Sequence, residues 1–185
     1  MSSFYPENEL MSLGFKEIGR NVNVSKNISF YGIENIKIGN NVRIDDFCIL
    51  SGKVNLGNNI HISAGCYMFA GDAGIEMQDF SGLSSRVLVY AVTDDYSGDF
   101  LTNPTVPIKY RNVISQKVIL QKYVQIGAGS IILPGVVMGE GSASGAMSLI
   151  TKSIPPWKIC LGIPAKTLID RKKNLLEWVN KFKLS

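Results

Sequence analysis

The sequence repeats every six residues from Ile18 to Pro155, and this period restricts the fold more than any other feature of the chain. Each hexad starts with an apolar residue and usually carries a small or β-branched residue at its fifth position. Short strands bury one face only by stacking on the next turn of chain, so inward residues that recur at a fixed spacing indicate a solenoid. The first positions of the hexads, among which only a serine is polar, are Ile18, Val24, Phe30, Ile38, Ile44, Leu50, Leu56, Ile62, Met68, Met77, Leu83, Val89, Leu120, Ile126, Ile132, Met138, Ser144 and Ile150.

Extra residues interrupt the repeat in three places, after the hexads that begin with Phe30, Met68 and Val89. These are the third, ninth and twelfth hexads, so every interruption follows a multiple of three. A triangular coil of three hexads accommodates all of them at one corner and leaves its flat faces intact. The eighteen hexads then make about six coils. The period does not set the handedness, for which a right-handed crossover is the usual default.

Helical segments are predicted on both sides of the repeat. Pro6 and the acidic residues after it are typical of a first helical turn, and Gly14 provides a stop. After the repeat, apolar residues recur at helical spacing from Leu168 to Phe182, which predicts an amphipathic helix packed on the last coil. The sequence thus divides into an N-terminal helical cap at 1–17, a hexapeptide-repeat β-helix at 18–155 with a loop at 95–119, and a C-terminal segment and helix at 156–185.

The net charge of +4 is concentrated in the last twenty residues, which hold six basic and two acidic side chains. Basic and aromatic residues do not alternate elsewhere, so a nucleic-acid partner is not expected. No apolar run approaches the ~20 residues of a membrane span. The first residues lack the basic and apolar regions of a secretory signal, so we expect a cytoplasmic protein. Cys48, Cys66 and Cys160 suit small core positions better than disulfides or metal sites.

The repeat and five short motifs together resemble the hexapeptide-repeat acyltransferases. The motifs are Gly127-Ala128-Gly129-Ser130, Pro134-Gly135-Val136, Thr151-Lys152, Pro155-Pro156 and Gly162-Ile163-Pro164-Ala165-Lys166. Within that superfamily the chain is most similar to the sugar O-acetyltransferases, which include galactoside and nodulation-factor acetyltransferases, and to enzymes of surface-polysaccharide synthesis. The resemblance covers residues 18 to 169. It implies a left-handed parallel β-helix, acetyl-CoA as the co-substrate, and a homotrimer with active sites between subunits.

The longest interruption, from Asp95 to Ile119, adds twenty-five residues with polar, aromatic and proline side chains. Loops of this length are uncommon in compact domains unless they have a function. We expect this loop to bind the acceptor through Tyr96, Asp99 and Asn103, whose polar groups suit sugar hydroxyls. The resemblance implies that the acceptor is a sugar, and it leaves open whether this is a nucleotide-linked sugar or an O-antigen or polysaccharide precursor.

The sugar O-acetyltransferases carry a catalytic histidine where this loop begins, and here Asp95 stands in its place. Three explanations are open. Asp95 or its neighbour Asp94 is the base, with a pKa raised from the ordinary ~3.9 by burial or by the adjacent charge. Alternatively, the acceptor is an amino sugar whose neutral amine attacks unaided, so a carboxylate only orients it and receives the proton. In the third explanation His61, the single histidine of the chain, enters the cleft from a neighbouring subunit.

Small residues on the last two coils predict where coenzyme A binds. Glycine and alanine let an extended pantetheine arm approach backbone amides. The family also places a Thr-Lys pair and the lysine of a Gly-x-Pro-Ala-Lys segment beside the coenzyme, and a basic residue of the tail suits its phosphates. The predicted contacts are Gly127, Ala128, Gly145, Ala146, Thr151, Lys152, Lys166 and Arg171.

The sequence therefore predicts an acetyl-CoA-dependent acetyltransferase that modifies a hydroxyl or amino group of a sugar without a metal ion. Zinc-dependent hydration of carbon dioxide, another activity of this scaffold, needs three histidines around the metal, and this chain has one. The missing histidine leaves one alternative open, a non-catalytic binding or scaffold protein with a degenerate active site.

Overall fold

The computed structural model, which describes residues 3–184, forms a parallel β-helix with three flat faces. Residues 1, 2 and 185 of the predicted cap and tail lie outside the described residues. Successive strands of each face pair in parallel, so the predicted solenoid is confirmed. One face has seven parallel strands within residues 3–184, one more than the six predicted coils, because residues 158–161 add a further strand.

Short strands make up most of the chain, and a helix lies at each end. The strands are β1 (Glu17–Ile18), β2 (Val22–Val24), β3 (Ser29–Tyr31), β4 (Lys37–Ile38), β5 (Val42–Ile44), β6 (Ile49–Leu56), β7 (Ile60–Ile62), β8 (Tyr67–Met77), β9 (Gly82–Leu83), β10 (Leu88–Tyr90), β11 (Val92–Asp94), β12 (Val113–Ser115), β13 (Val118–Leu120), β14 (Gln125–Ile126), β15 (Ile131–Ile132), β16 (Val137–Met138), β17 (Ala143–Ser144), β18 (Leu149–Ile150), β19 (Lys158–Leu161) and β20 (Lys166–Asp170). The helices are α1 (Glu7–Ser12) and α2 (Leu175–Lys183), and 3₁₀ turns cover Ile33–Asn35 and Ile108–Tyr110.

We number the three faces in the order in which the chain forms them. Face 1 contains β1, β4, the second halves of β6 and β8, β13 and β16; face 2 contains β2, β5, β7, β9, β14, β17 and β19; face 3 contains β3, the first halves of β6 and β8, β10, β15 and β18. Equivalent hexad positions lie in register from coil to coil, since Ile44 pairs with Val24 on one side and Ile62 on the other. The repeat in sequence is thus a stack in space.

The stacked inward side chains form the hydrophobic core. Ile44, Ile62, Ile126 and Ile132, all first positions of hexads, are at most 1% exposed. Most fifth positions are buried as well, so the predicted inward pattern is confirmed. The polar first position, Ser144, is also buried, and its hydroxyl accepts a 3.1 Å hydrogen bond from a backbone N–H of the preceding coil.

At two of the corners most coils place a residue other than glycine in the left-handed backbone region, although this conformation is unfavourable for a residue with a Cβ. Corner 2–3, between faces 2 and 3, stacks Phe47, Gly65, Arg86, Gly129 and Met147. Corner 1–2 stacks Asn21, Asn41, Asn59, Phe80, Tyr123, Gly141 and Trp157. Corner 3–1 holds all three interruptions of the repeat, as predicted, including the long loop.

The N-terminal helix is confirmed at nearly its predicted position. α1 begins directly after Pro6, and its Leu10 is 2% exposed. The backbone N–H of Tyr5 donates a 2.9 Å hydrogen bond to the carbonyl of Val24 on the first coil. The segment therefore covers the open end of the solenoid, where exposed strand edges would otherwise pair with other chains.

The C-terminal segment differs from the single predicted helix. Leu168 and Ile169 lie on β20, which runs antiparallel to β19 with Ile169 opposite Ile159. The open edge of β19 offers backbone hydrogen-bonding groups that a strand can satisfy and a helix cannot. Pairing along this edge thus outweighs the helical spacing of the apolar residues.

The helix itself is shorter than predicted and lies elsewhere. α2 begins at Leu175, and its Phe182 packs edge to face against Phe80 with ring centroids 5.8 Å apart. It therefore lies along corner 1–2, beside the coils, and not on the last coil.

Replacing Ile62 with alanine is expected to lower the free energy of unfolding by about 2–5 kcal/mol, because the rigid stack cannot close around the missing atoms. Chemical denaturation measures the change. Ile108→Ala is the matched control, since Ile108 is 67% exposed and its loss should cost about 0.5 kcal/mol or less. Equal effects of the two substitutions would contradict a core stacked around Ile62.

Candidate active site

Asp94 lies at the base of the long loop, where β11 ends. β11 pairs antiparallel with β12, with Asp94 opposite Val113, so the two ends of the loop are joined. One carboxylate oxygen of Asp94 accepts a 2.9 Å hydrogen bond from the backbone N–H of Asn103. The other lies 3.8 Å from Nη1 of Arg111, and the two side chains are only 20% and 16% exposed. The loop thus holds the carboxylate in a sheltered position.

A cavity of about 500 Å³ opens beside this pair. Its floor is formed by Phe69 and Tyr90, which point outward from neighbouring strands of face 3 and stack with ring centroids 5.2 Å apart. Within residues 3–184 the buried Nε of Arg111 has no hydrogen-bond partner. Aromatic walls with a few charged groups are typical of sites for small ligands.

Asp95, the other acidic candidate, is engaged within the loop. Its carboxylate accepts hydrogen bonds of 2.8 Å from the backbone N–H of Ser97 and from the side-chain amide of Asn112. The bond from Ser97, followed by that from Asn112, lowers the pKa of Asp95 below its ordinary value. A carboxylate with a lowered pKa is a weaker base, and both carboxylate oxygens of Asp95 are already engaged within the loop.

The three residues predicted to bind the acceptor are placed differently. Tyr96 is 81% exposed and borders the same cavity as Asp94. Asn103 lies next to Asp94, but its side-chain oxygen accepts hydrogen bonds within the loop. Asp99 lies at the exposed tip, where its backbone N–H donates to the hydroxyl of Ser97. An acceptor role for these three residues stays a prediction.

His61 points outward from β7 on face 2, as predicted. Its Nε2 lies 2.8 Å from the carboxylate of Asp45, which Arg43 also contacts at 2.7 Å. Burial acts to raise the pKa of Asp45, but the hydrogen bonds from Arg43 and His61 outweigh it, and the pKa is lowered. His61 does not border the cavity beside Asp94. A catalytic role for it therefore requires a neighbouring subunit.

The small residues predicted to contact coenzyme A stack on one another next to corner 2–3. Gly127 and Ala128 precede this corner in one coil, and Gly145 and Ala146 precede it in the next. A Cβ on Gly127 would lie 2.5 Å from the backbone nitrogen of Ala146, so close stacking of the coils already requires this glycine. A contact with the coenzyme is a second, untested reason for these small residues.

The other predicted coenzyme contacts are spread over the protomer. Thr151 and Lys152 are exposed after β18, at corner 3–1, on the far side of face 3 from Ala128 and Ala146. Lys166 is exposed on β20, opposite the last residue of β19. One protomer therefore does not gather the predicted residues into a single cluster.

Arg171 holds the C-terminal tail on the solenoid. Its Nη1 donates hydrogen bonds of 2.8, 3.0 and 3.3 Å to the backbone carbonyls of Tyr123, Gly141 and Ser142. Burial lowers the pKa of its guanidinium from the ordinary value. These carbonyls lie at corner 1–2, away from the other predicted coenzyme residues.

Three residues of the cavity, Phe69, Tyr90 and Arg111, are absent from the sequence-based candidates. The two aromatic residues could have been found from the sequence, because each directly follows an inward position of the repeat in a coil before the loop and must therefore point outward. The sequence gives no indication of Arg111, since its position beside Asp94 depends on the pairing of β11 with β12.

Other features of the described residues bear on the kind of protein. Among residues 3–184, no three His, Cys, Asp or Glu side chains lie close enough together to hold a metal ion. Neither helix in this part of the chain is long and apolar enough to cross a membrane. Cys48, Cys66 and Cys160 are buried free thiols.

Replacing Arg171 with glutamine is expected to loosen α2 while leaving the KM for acyl-coenzyme A unchanged. The hydrogen bonds that are lost join Arg171 to three backbone carbonyls of the solenoid and not to the coenzyme. A hydrogen bond to a charged group contributes about 1.5–3 kcal/mol, so amide hydrogen exchange in α2 should become clearly faster. Lys172→Gln, which removes an exposed charge next to it, should change neither quantity. A raised KM with a well-protected helix would instead support the coenzyme contact predicted from the sequence.

The chain is 42% identical over 186 aligned positions to the dTDP-4-amino-4,6-dideoxy-D-glucose acyltransferase of Escherichia coli. The alignment covers 99% of this chain and 96% of that protein. It also resembles AntD, an N-acyltransferase from Bacillus cereus, in complex with dTDP and 3-hydroxybutyryl-CoA. That structure has a TM-score of 0.96 and 52% identity, and the match covers 98% of this chain and 97% of AntD.

Two variants of AntD are equally similar to this chain. The S84C variant in complex with dTDP-4-amino-4,6-dideoxyglucose and coenzyme A has a TM-score of 0.96. The D94A variant in complex with dTDP and coenzyme A has a TM-score of 0.97. Both are 51% identical to this chain, and each match covers 97–98% of either chain. No family model matches the chain. Its similarity to these enzymes over nearly its whole length confirms the predicted relationship, and the chain belongs to the hexapeptide-repeat sugar acyltransferases, which take their acyl group from coenzyme A.

Proposed function

We propose that this enzyme transfers an acyl group from an acyl-coenzyme A to the 4-amino group of a dTDP-linked 4-amino-4,6-dideoxy sugar. The observation that carries the proposal is the cavity beside Asp94, whose described lining has a sheltered carboxylate and no histidine. The Escherichia coli relative is named for such an acceptor, and AntD is an N-acyltransferase. An amine acceptor thus accounts for the missing family histidine.

The chemistry needs only a carboxylate from the protein. The neutral amine attacks the carbonyl carbon of the thioester, so a C–N bond forms as the C–S bond breaks and the thiolate of coenzyme A leaves. The extra proton on the attacking nitrogen passes to Asp94, which then gives it up through water to the thiolate, so the free carboxylate is restored. Arg111 and the backbone N–H of Asn103 keep the carboxylate at the wall of the cavity.

Ser84 is the second residue that we assign to the site. AntD variants exist at its residues 84 and 94, and this chain has serine and aspartate at the same numbers. Ser84 is exposed directly after β9, on the approach to corner 2–3, whereas Asp94 lies at corner 3–1. Two corners of one triangular coil do not meet, so we assign Ser84 to the active site of a neighbouring protomer, where its hydroxyl donates to the thioester oxygen.

This arrangement supports a homotrimer with active sites between subunits. It would also join the two groups of predicted coenzyme residues, one at corner 2–3 and one at corner 3–1, in the same cleft. We further propose that the enzyme works in the cytoplasm, because its three cysteines are buried free thiols, as is usual in a reducing compartment.

Release of free thiol from acyl-coenzyme A tests the function directly. We expect turnover with dTDP-4-amino-4,6-dideoxyglucose and none with dTDP-glucose, which offers only hydroxyl groups at the same positions. Acetyl-CoA and 3-hydroxybutyryl-CoA should be compared as donors. Transfer to dTDP-glucose would refute an amine-specific enzyme, and failure to bind either donor in calorimetry would favour a non-catalytic scaffold.

Replacing Asp94 with asparagine is expected to lower kcat by about 10²–10⁴-fold, because the amide cannot accept the proton. Asp95→Asn is the matched control and should change kcat less than about tenfold, since Asp95 only orders the loop. His61→Ala should also retain activity. Steady-state kinetics separates the three variants. A collapse of kcat in Asp95→Asn or His61→Ala would identify that residue as the base. Full activity in all three would mean that the amine attacks without help from any of these side chains.

A further inference from the structure

Arg86 is an exposed arginine in an unfavourable backbone conformation. Its φ is 61°, in the left-handed region that side chains with a Cβ rarely adopt. The stem of its side chain passes over Gly65, where an added Cβ would lie 3.4 Å from Cγ of Arg86. Within residues 3–184 its guanidinium makes no ion pair or hydrogen bond. The left-handed backbone is shared by the other coils at corner 2–3, so the exposed and unpaired guanidinium is what distinguishes Arg86.

A second cavity, of about 630 Å³, contains Arg86 at corner 2–3. Phe47 and Tyr67 border the same cavity, and Phe47 is 68% exposed with a left-handed φ of 61°. An exposed phenylalanine in this conformation gains nothing from the core. The cavity therefore combines a free guanidinium with two aromatic rings, the groups that recognise a phosphate and a planar base.

This cavity adjoins the one beside Asp94. Tyr67 borders the cavity that contains Arg86 and Phe69 borders the cavity beside Asp94, and their ring centroids are 6.3 Å apart on β8. On the next strand, Leu88 and Tyr90 are divided between the two cavities in the same way. The two cavities thus lie at opposite ends of the same strands of face 3. A ligand that spans them reaches from Asp94 to the guanidinium of Arg86.

We propose that Arg86 binds the diphosphate of the nucleotide-linked acceptor and that Phe47 and Tyr67 contact its base. This inference rests on the proposed function, because it assumes an acceptor with a nucleoside diphosphate. With the amino sugar above Phe69 and next to Asp94, the diphosphate extends along face 3 to Arg86 of the same protomer, whereas Ser84 of that protomer serves the neighbouring active site. Arginine suits this position because its planar guanidinium donates two parallel hydrogen bonds to phosphate oxygens.

Coenzyme A also carries phosphates and a base, but the corner favours the acceptor at Arg86. The backbone N–H of Gly129 donates to the carbonyl of Ser85, and that of Met147 donates to Ala128, so these residues continue corner 2–3 toward the C-terminus. The small residues predicted for the pantetheine arm lie on those later coils. Acceptor and donor then approach the reacting atoms from opposite ends of the solenoid.

Calorimetry with dTDP on the full-length chain tests the assignment. Arg86→Gln is expected to weaken dTDP binding by about tenfold or more, because a charge-assisted hydrogen bond is lost. Arg86→Lys keeps the charge and should weaken dTDP binding less. Arg20→Gln is the matched control, since Arg20 is an exposed corner arginine of the first coil. It should bind dTDP as the unaltered protein does. In kinetics, Arg86→Gln should raise the KM for the acceptor and leave the KM for acyl-coenzyme A unchanged.

A second variant separates the base from the phosphates. Phe47→Asn should weaken the binding of dTDP but not that of inorganic pyrophosphate, because asparagine tolerates the left-handed backbone and the substitution removes only the ring. Arg86→Gln should weaken the binding of both ligands. Thermal unfolding of each variant checks that the fold is intact.

Three results would overturn the proposal: unaltered dTDP affinity in Arg86→Gln, no dTDP binding by the unaltered protein, or a loss confined to coenzyme A. A protein that binds dTDP through Arg86 yet transfers no acyl group would leave this assignment standing and refute the proposed function instead.

Discussion

The stacking of each coil directly on the next is the constraint on which the rest of the structure depends. Backbone hydrogen bonds run from coil to coil, so each inward side chain lies above its equivalent, as Ile62 lies between Ile44 and Leu83. The close approach of the coils leaves no room for a side chain where two backbones meet, since a Cβ on Gly39 would lie 2.4 Å from a carbonyl oxygen of the next coil. With the interior and the strand spacing set in this way, only outward residues, corners and insertions can vary freely. Ligand binding is therefore confined to those places.

The loop at corner 3–1 uses this freedom to change the chemistry while keeping the scaffold. Where the related O-acetyltransferases carry a histidine, it holds Asp95 and its neighbour Asp94, and Asp94 is supported by a backbone N–H from within the loop and by Arg111 from its returning end. Such a carboxylate is a poor partner for a hydroxyl nucleophile, which must lose its proton during attack. It is adequate for an amine, which loses its proton afterwards. The carboxylate at the loop base thus agrees with the acceptor class for which the Escherichia coli relative is named.

Most of the fold was accessible from sequence because a solenoid converts a linear period directly into spatial contacts. The inward residues and the common corner of the interruptions both follow from counting positions. The tail was predicted wrongly, because the pairing of Ile169 with Ile159 depends on an open strand edge that periodicity cannot detect. The candidate site was only partly accessible. The missing histidine points to Asp95 first and to Asp94 as its neighbour, whereas Arg111 is brought beside Asp94 by a hairpin within a loop that has no repeat.

The left-handed corners have a consequence for heat resistance. The first coils place asparagine at corner 1–2, at Asn21, Asn41 and Asn59, a residue that adopts this conformation at little cost. Later coils place Phe80, Tyr123 and Trp157 at the equivalent positions, and each such residue sacrifices about 1–2 kcal/mol. Asparagine at all these positions would remove that cost, but it would also remove the packing of Tyr123 against Phe80 and Trp157 and of Phe80 against Phe182, so the two effects on the melting temperature oppose each other. The bulky residues of the later coils thus accept an unfavourable backbone conformation in exchange for aromatic packing that keeps the C-terminal helix beside the coils.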